Sequence, residues 1–266
     1  MTNNILLGQY IETGSILHRL DPRTKLASLF VIILGFFTLD SFLSYVFAAA
    51  LVVALMILSE IPLRLFVRGL KPILFILMFT FFYHAFVTEG TVICSWGAIH
   101  VTVEGLQNGA KFVVRIVLLI LLASVLTLTT KPLTLARGLE KLLAPLSKLK
   151  VPVEQFSLMI VIAIRFIPTI MQELDRILLA QKARGYDVQA LRLPKRVFAY
   201  IPILIPLFFT TIQRAEQLTL AIDARGYGNG RGRTAYHQLS LSRADYFAGL
   251  SAVFALVILL FIRIAE

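Results

Sequence analysis

Two arginines are the residues of this sequence whose surroundings most clearly indicate a chemical role. The four residues Ala183-Arg184-Gly185-Tyr186 recur 41 positions later as Ala224-Arg225-Gly226-Tyr227. A guanidinium group is permanently charged and presents a planar fork of donors that fits a carboxylate or a phosphate. The repeat therefore predicts two equivalent tips, each suited to bind an anionic group on a partner.

The repeat begins upstream of the tips, in two segments with the pattern of long helices. A shift of 41 residues aligns four further identical pairs: Thr169 with Thr210, Gln172 with Gln213, Leu179 with Leu220, and Ala180 with Ala221. Glycine commonly follows a helix end because it tolerates left-handed dihedral angles, and a cation beside it is favoured by the helix dipole. One such end would indicate only a capped helix. Two copies, each ending a long helix, indicate paired docking tips.

The sequence offers these tips no catalytic machinery. It lacks a phosphate loop, since Gly228 to Arg233 has no Lys-Ser/Thr pair to reach phosphate and magnesium. The four histidines are scattered, the acidic residues near the tips lack metal-binding spacing, and the single cysteine, Cys94, cannot form an internal disulfide. We therefore predict no catalytic residue, no metal and no cofactor, so any energy-releasing reaction must take place on another subunit.

Composition predicts an integral membrane protein. Hydrophobic residues make up 58% of the 266 residues and charged residues 15%, and the mean hydropathy is +0.83, whereas about a quarter of an average soluble domain is charged. Nearly all of the net charge of +11 lies between Thr129 and Arg243. Because the positive charge is confined to this region, we expect the region to face one compartment. We therefore interpret the charge as a membrane-topology signal and not as a nucleic-acid-binding surface.

Five apolar runs predict an all-α integral membrane protein with about five transmembrane helices and a cytoplasmic or interfacial coupling domain of long amphipathic helices. The runs are 26–39, 42–58, 72–87, 112–128 and 246–262. The basic residues follow the positive-inside rule if the N-terminus is cytoplasmic. The predicted domains are a cytoplasmic segment 1–25, transmembrane helices within 26–128, a cytoplasmic coupling domain 129–243 and a last transmembrane helix in 244–266. The N-terminus lacks the pattern of a removable signal peptide, and we expect a multi-pass protein of the cell membrane.

Two further apolar segments, 156–171 and 197–212, have enough hydropathy to span a membrane. If both crossed it, the basic stretch between them would lie outside, against the positive-inside rule. Arg165 with Pro168, and the two prolines of the second segment, also disfavour lipid-facing spans. We interpret both as long helices whose apolar upstream halves pack on protein or dip into the interface. Their polar downstream halves project into the cytoplasm.

Two other basic features have simpler interpretations. Residues 133–149 predict an amphipathic helix at the membrane surface, and its Ala136-Arg137-Gly138 triplet lies inside the helical pattern, so we treat it as a chance match to the tips. Lys111 and Arg115 lie at the outer end of the fourth run. We expect them to snorkel, or to pair with Glu104, rather than to act in transport.

These motifs in combination resemble a known family. They are the two Ala-Arg-Gly tips, the segment Leu17-His18-Arg19-Leu20-Asp21-Pro22-Arg23-Thr24-Lys25, the helix from Gly138-Leu139-Glu140 to Pro145-Leu146, and Arg165-Phe166-Ile167-Pro168. The chain resembles, over almost its whole length, the transmembrane T component of energy-coupling factor (ECF) transporters, the EcfT/CbiQ family. Each motif is weak alone and specific in combination.

The resemblance implies a non-catalytic scaffold in an ABC-type importer of prokaryotic membranes. Two cytoplasmic ABC ATPases would each receive one tip, Arg184 on one and Arg225 on the other. Asp223 stands where the first copy has Lys182, which favours a heterodimer of ATPases. A small membrane subunit, the S component, would capture a vitamin or a transition-metal ion. It would lie against an apolar surface that includes Phe156, Met159, Ile160, Phe166, Ile203, Leu207 and Phe208.

Two other functions are weighed against this one. A self-contained secondary transporter or channel would carry acidic or polar residues at the membrane midplane, yet none of the five predicted runs contains Asp or Glu. A membrane enzyme would need a carboxylate or histidine cluster at the inner face. Glu173, Asp175, Asp187 and Glu216 are available there, but their spacing fits no metal site.

Overall fold

The computed structural model describes residues 10–96, 99–149, 152–186, 198–226 and 240–265. Tyr227 of the second tip and the predicted loop 228–233 lie outside these ranges. The chain divides into two compact units, one of residues 1–142 with 239–266 and the other of residues 143–238. Each unit is described by itself below.

The first unit is a helical bundle with one small hairpin. Its helices are α1 (Ile16–Arg19), α2 (Pro22–Phe36), α3 (Phe42–Leu58), α4 (Leu63–Leu70), α5 (Leu74–Val87), α6 (Val103–Thr129), α7 (Pro132–Leu143) and α10 (Arg243–Ala265). Its strands are β1 (Val92–Trp96) and β2 (Ile99–Thr102). The second unit contains a 3₁₀ turn (Ala144–Leu149) and two long helices, α8 (Val153–Ala183) and α9 (Ile201–Ala224). The prediction that the apolar segment 156–171 belongs to a long helix is confirmed by α8.

The N-terminal segment 1–25 ends in a capped helix start, as its sequence predicts. The Asp21 side chain accepts a hydrogen bond from the Arg23 backbone N–H at 2.9 Å, and Pro22 occupies the first helical position. Proline suits that position because its missing N–H would have had no partner there. The sequence therefore starts α2 at Pro22, four residues before Leu26, the first residue of the apolar run.

A continuous apolar core joins α2, α3, α6 and α10. Phe36, Ala48 and Val52 are fully buried, and Leu122 and Leu259 are nearly so. Helix α10 approaches α2 closely at Gly35, where a Cβ atom would lie 3.0 Å from Leu259 Cδ1. The first and last long helices of the bundle are thus in direct contact.

A buried carboxylate fixes the start of α10 to the start of α2. Asp245, which is 3% exposed, accepts hydrogen bonds from the Asp21 N–H at 2.7 Å and from the N–H and hydroxyl of Ser242 at 2.7 Å each. Bonds to an ionised acceptor are stronger than neutral ones. Residues 224 positions apart in the chain are joined at this point.

The structure gives a different list of possible spans from the five predicted. Among the described residues, α6, α8 and α10 are long and apolar enough to cross a membrane, and α4 with α5 makes a fourth span if the pair, bent by 58°, is counted as one. Pro72 explains the break, because it has no N–H to donate and disfavours helix at Lys71. Helices α2 and α3 have only 15 and 17 residues. Helix α8 is long and apolar enough to cross a membrane, although the positive-inside rule favours a segment that does not cross it.

The segment between α5 and α6 contains a β-hairpin that was not predicted from the sequence. Strands β1 and β2 pair antiparallel, with Trp96 opposite Ile99 and Val92 opposite Thr102. Valine, isoleucine and threonine are enriched in strands, and this composition was the available signal. The protein is otherwise all-α in the ranges that the structure describes, so the predicted fold class is confirmed.

Arg115 has a structural partner other than the expected Glu104. Its guanidinium donates to the Leu39 carbonyl and lies 3.7 Å from Asp40, which also pairs with Arg263 at 3.5 Å. Glu104 accepts instead from the Thr91 N–H at 2.7 Å. The suggested Arg115–Glu104 pair is therefore wrong, and Arg115 joins α6 to the turn between α2 and α3.

Helix α7 packs within the first unit, although the sequence analysis assigned it to the coupling domain. Gly138 lies against Pro22, so that a Cβ atom at Gly138 would be 2.9 Å from the Pro22 Cβ. Ala136 is also buried. The Ala-Arg-Gly triplet of α7 therefore lies in a helix–helix contact, unlike the two tips.

Candidate docking site

The first tip is a helix end closed by a complete Schellman motif. Helix α8 ends at Ala183, and Arg184 forms its cap. The Gly185 N–H donates to the Lys182 carbonyl at 3.0 Å, and the Tyr186 N–H donates to the Gln181 carbonyl at 3.0 Å. Gly185 has φ +81°, a conformation that glycine adopts without the cost that a Cβ atom brings. The backbone thus fixes where the helix stops and where Arg184 leaves it.

The second tip repeats this geometry at the end of α9. Arg225 caps the helix after Ala224, and the Gly226 N–H donates to the Asp223 carbonyl at 2.9 Å. Gly226 has φ +66°. The 41-residue repeat in sequence is therefore a repeat in backbone conformation. Both arginines follow the last residue of a long helix and precede a left-handed glycine.

All six tip residues are exposed: Ala183, Arg184, Gly185, Ala224, Arg225 and Gly226. A Cβ atom at Gly185 or Gly226 would meet nothing within 4 Å. Glycine is thus required there by its dihedral angles and not by crowding. Among the described residues, nothing closes the space beside either glycine.

A leucine one turn before each tip is exposed to the same extent. Leu179 and Leu220 are equivalent in the repeat, and both side chains are 69% exposed. The alanines that follow them, Ala180 and Ala221, are exposed as well. Each tip therefore combines a small apolar surface with a guanidinium group, a composition typical of protein–protein contacts.

Tyr186 anchors the first tip within the second unit. Its hydroxyl donates to the Ala199 carbonyl at 3.2 Å, and its ring packs with the cluster around Ala199 and Ile203. In the sequence, this tyrosine was only one of the four residues that define the repeat. The structure shows that it connects the end of α8 to the residues that precede α9.

An ion pair joins α8 and α9 at equivalent positions of the repeat. Arg214 Nη2 lies 3.1 Å from Glu173 Oε2, and Arg176 Nη1 lies 3.6 Å from the same oxygen. Glu173 is 15% exposed at its side chain and Arg214 43%. Position 173 becomes position 214 under the 41-residue shift. Opposite charges at equivalent positions of the repeat are the sequence signal for this contact. This signal was not used in predicting the site.

The apolar surface expected to meet a membrane partner is largely open. Phe156, Met159 and Phe208 are 56%, 66% and 65% exposed. Three more residues of that set are partly exposed, namely Ile160, Phe166 and Leu207. A groove of about 540 Å³ lies between α8 and α9, lined by Ile170, Leu204, Ile205, Leu207, Phe208, Phe209 and Thr211.

Ile203 is the exception in that set. It is fully buried, in contact with Leu174, Ile177 and Leu178 of α8. Its assignment to an exposed contact surface is therefore wrong. The first turns of α9 are apolar on all faces, so the sequence did not indicate which face packs on α8. Ile203 instead holds the two long helices together.

No group of His, Cys, Asp and Glu within the described ranges has an arrangement that could hold a metal ion. The tips themselves present guanidinium groups and apolar side chains. Such a surface is suited to anionic and apolar groups.

Comparison with known proteins identifies the family of the chain. The family model of CbiQ, described as a cobalt transport protein, matches residues 13–236. The chain belongs to the CbiQ family. The match includes the N-terminal segment from residue 13, helices α2 to α9 and both arginine tips.

Three relatives of this CbiQ-family chain carry the name energy-coupling factor transporter transmembrane protein EcfT. The one from Ruminiclostridium cellulolyticum is 40% identical over 255 residues, which is 96% of each chain. The one from Bacillus subtilis is 40% identical over 264 residues, 99% of this chain and 100% of the relative. The one from Listeria innocua is 42% identical over 246 residues, 92% and 93% of the two chains.

Proposed function

We propose that the protein is the transmembrane scaffold and energy-coupling subunit of an ECF-type ABC importer. In this role it passes the ATP-driven movement of two cytoplasmic ATPases to a substrate-binding S component, which takes up a vitamin or a transition-metal ion. The observation that carries the proposal is the pair of exposed arginines at identically capped helix ends. The names of the full-length relatives support the transporter assignment.

The tips suit a carboxylate-bearing partner. Arg184 and Arg225 are exposed, and each caps a helix end that is closed by backbone hydrogen bonds of the chain itself. An arginine–carboxylate pair is commonly bidentate, which adds orientation to affinity. Because each tip also carries an exposed leucine, we propose a carboxylate next to an apolar pocket on each ATPase.

The two long helices suit the transmission of movement. Arg184 lies eleven residues beyond Glu173, and Arg225 lies eleven residues beyond Arg214. This length corresponds to ~16 Å along each helix. The ion pair and the Ile203 cluster join the helices upstream of the tips. When the ATPases draw together, the two arms move with them, and the displacement reaches the apolar halves of α8 and α9.

The apolar surface of α8 and α9 suits the S component and the lipid bilayer. Only 6% of the most apolar stretch of α8 is buried, so the described residues leave it largely uncovered. Burial of apolar area stabilises association by about 25 cal/mol per Å². In our proposal the arginine tips and the N-terminus lie on the cytoplasmic side, where the basic region is expected. ATP hydrolysis belongs to the partner subunits.

Charge reversal at the tips tests the proposal. The double variant Arg184→Glu with Arg225→Glu replaces two attractive contacts with repulsive ones, and we expect loss of both ATPases on affinity purification and loss of substrate uptake. Lys148→Glu, an exposed charge reversal in the same unit, is the matched control and should leave both unchanged. Normal co-purification and uptake by the double variant would show that the tips do not dock the ATPases.

A further inference from the structure

The two tips differ in sequence at two positions, and one of these differences reverses a charge. The segments 179–186 and 220–227 share six of eight residues, and they differ only at Gln181 against Ile222 and at Lys182 against Asp223. Lys182 and Asp223 are both exposed. Each is two residues before its arginine, so the two charges occupy the same place relative to the docking group.

Asp223 is in an unfavourable position for its own helix. The C-terminal end of a helix carries a partial negative charge, so a carboxylate in the last turn is disfavoured there and a lysine is favoured. Among the described residues no ion pair to Asp223 is found. A residue that opposes the local rule without compensation among the described residues is expected to have a functional reason. A cation on a partner would provide one.

We propose that Lys182 and Asp223 make the two tips non-interchangeable. The Arg184 tip takes the ATPase whose docking pocket has an acidic rim, and the Arg225 tip takes the ATPase whose pocket has a basic rim. This inference rests on the proposed docking function. The shared leucine, alanine and arginine residues supply the common contact, and the opposite charges select the partner because like charges at an interface disfavour the wrong pairing.

Photo-crosslinking in the assembled complex tests this assignment. A photoreactive amino acid at Ala180 reports the neighbour of the first tip, and one at Ala221 reports the neighbour of the second. We expect each position to capture predominantly a different ATPase. In the double variant Lys182→Asp with Asp223→Lys, which preserves the net charge, we expect the capture ratio to change by about fivefold or more, toward the opposite partner.

A matched control is available at the adjacent pair. The double variant Gln181→Ile with Ile222→Gln exchanges the other difference between the tips without moving a charge, and it should leave the capture ratio unchanged. If both positions capture the same ATPase, or if the charge exchange leaves the ratio unchanged, the selection by charge is wrong while docking stands. If neither position captures any ATPase, the docking function itself is wrong.

Discussion

Glu173 and Arg214 occupy the same position in the two copies of the repeat, and their side chains meet at 3.1 Å. A duplicated helix would carry the same charge at both places, and the two copies would repel each other there. Opposite charges let α8 and α9 come together at equivalent positions. The arms beyond the contact are then of equal length, which places both arginines at the same distance along their helices from the junction.

Reversal of Arg214 should weaken this junction. Arg214→Glu places two carboxylates together, and we expect slower uptake and a lower unfolding temperature of the purified complex. The loss of stability should be about 1 kcal/mol, because the pair is partly exposed and such pairs contribute about 0.2–1 kcal/mol. The double variant Glu173→Arg with Arg214→Glu restores opposite charges and should recover part of both. Additive losses in the double variant would show that the two residues are not coupled.

Alanine at the tip glycines should disturb docking through the backbone. Gly185→Ala and Gly226→Ala force a Cβ into left-handed dihedral angles at a cost of roughly 1–2 kcal/mol per residue, which shifts the arginine that precedes each glycine. We expect weaker binding of the ATPases, measured with the protein in nanodiscs, and a smaller effect from asparagine, which tolerates this conformation better. Gly249→Ala is the control, because this glycine lies within α10 in open space. Equal binding by all variants would contradict a role for tip geometry.

Serine at the exposed leucines should separate docking from folding. Leu179→Ser and Leu220→Ser remove side chains that are 69% exposed, so the thermal stability of the isolated subunit should remain close to wild type. Burial of a leucine in a partner contributes about 1.5–3 kcal/mol, and each variant should therefore bind ATPase roughly tenfold more weakly. Leu149→Ser, at a leucine that is 76% exposed, serves as the control for a general effect of polarity. Unchanged affinity in both tip variants would exclude the leucines from the interface.

Removal of the charge at Asp245 should destabilise the bundle. Asp245→Asn weakens the bonds from Ser242 and from the Asp21 N–H, each of which benefits from an ionised acceptor. Hydrogen bonds to charged groups contribute about 1.5–3 kcal/mol, so we expect a loss of this order in denaturant or thermal unfolding. Ser242→Ala removes one donor only and should cost less. A variant as stable as wild type would mean that the carboxylate is replaceable by a neutral amide.

The features predicted correctly from sequence are those encoded locally. The start of α2 follows from Asp21 and Pro22, which act within one turn, and the long α8 follows from a continuous helical pattern. The repeat that contains Arg184 and Arg225 can be found without knowledge of the fold, and their docking role remains a proposal. The backbone at Gly185 and Gly226 then adopts the left-handed conformation that helix-ending glycines favour.

The features that were missed depend on contacts between distant parts of the chain. Arg115 meets Asp40 across 75 positions of sequence, and hydropathy gives no indication of which carboxylate an arginine will choose. Ile203 is apolar among apolar neighbours, so only the packing of α9 on α8 shows that it is buried. The hairpin at Val92–Thr102 lies in the segment between α5 and α6, which is short enough to be interpreted as a loop.

The contact between α10 and the start of α2 has a mechanical consequence. The second unit is an insertion between α7 and α10, so the chain leaves the bundle once and returns to it once. The two units are therefore joined by two chain segments. The Asp245 hydrogen bonds lie where the chain returns to the bundle, so tension on the chain at this point acts on charge-assisted bonds as well as on the apolar core.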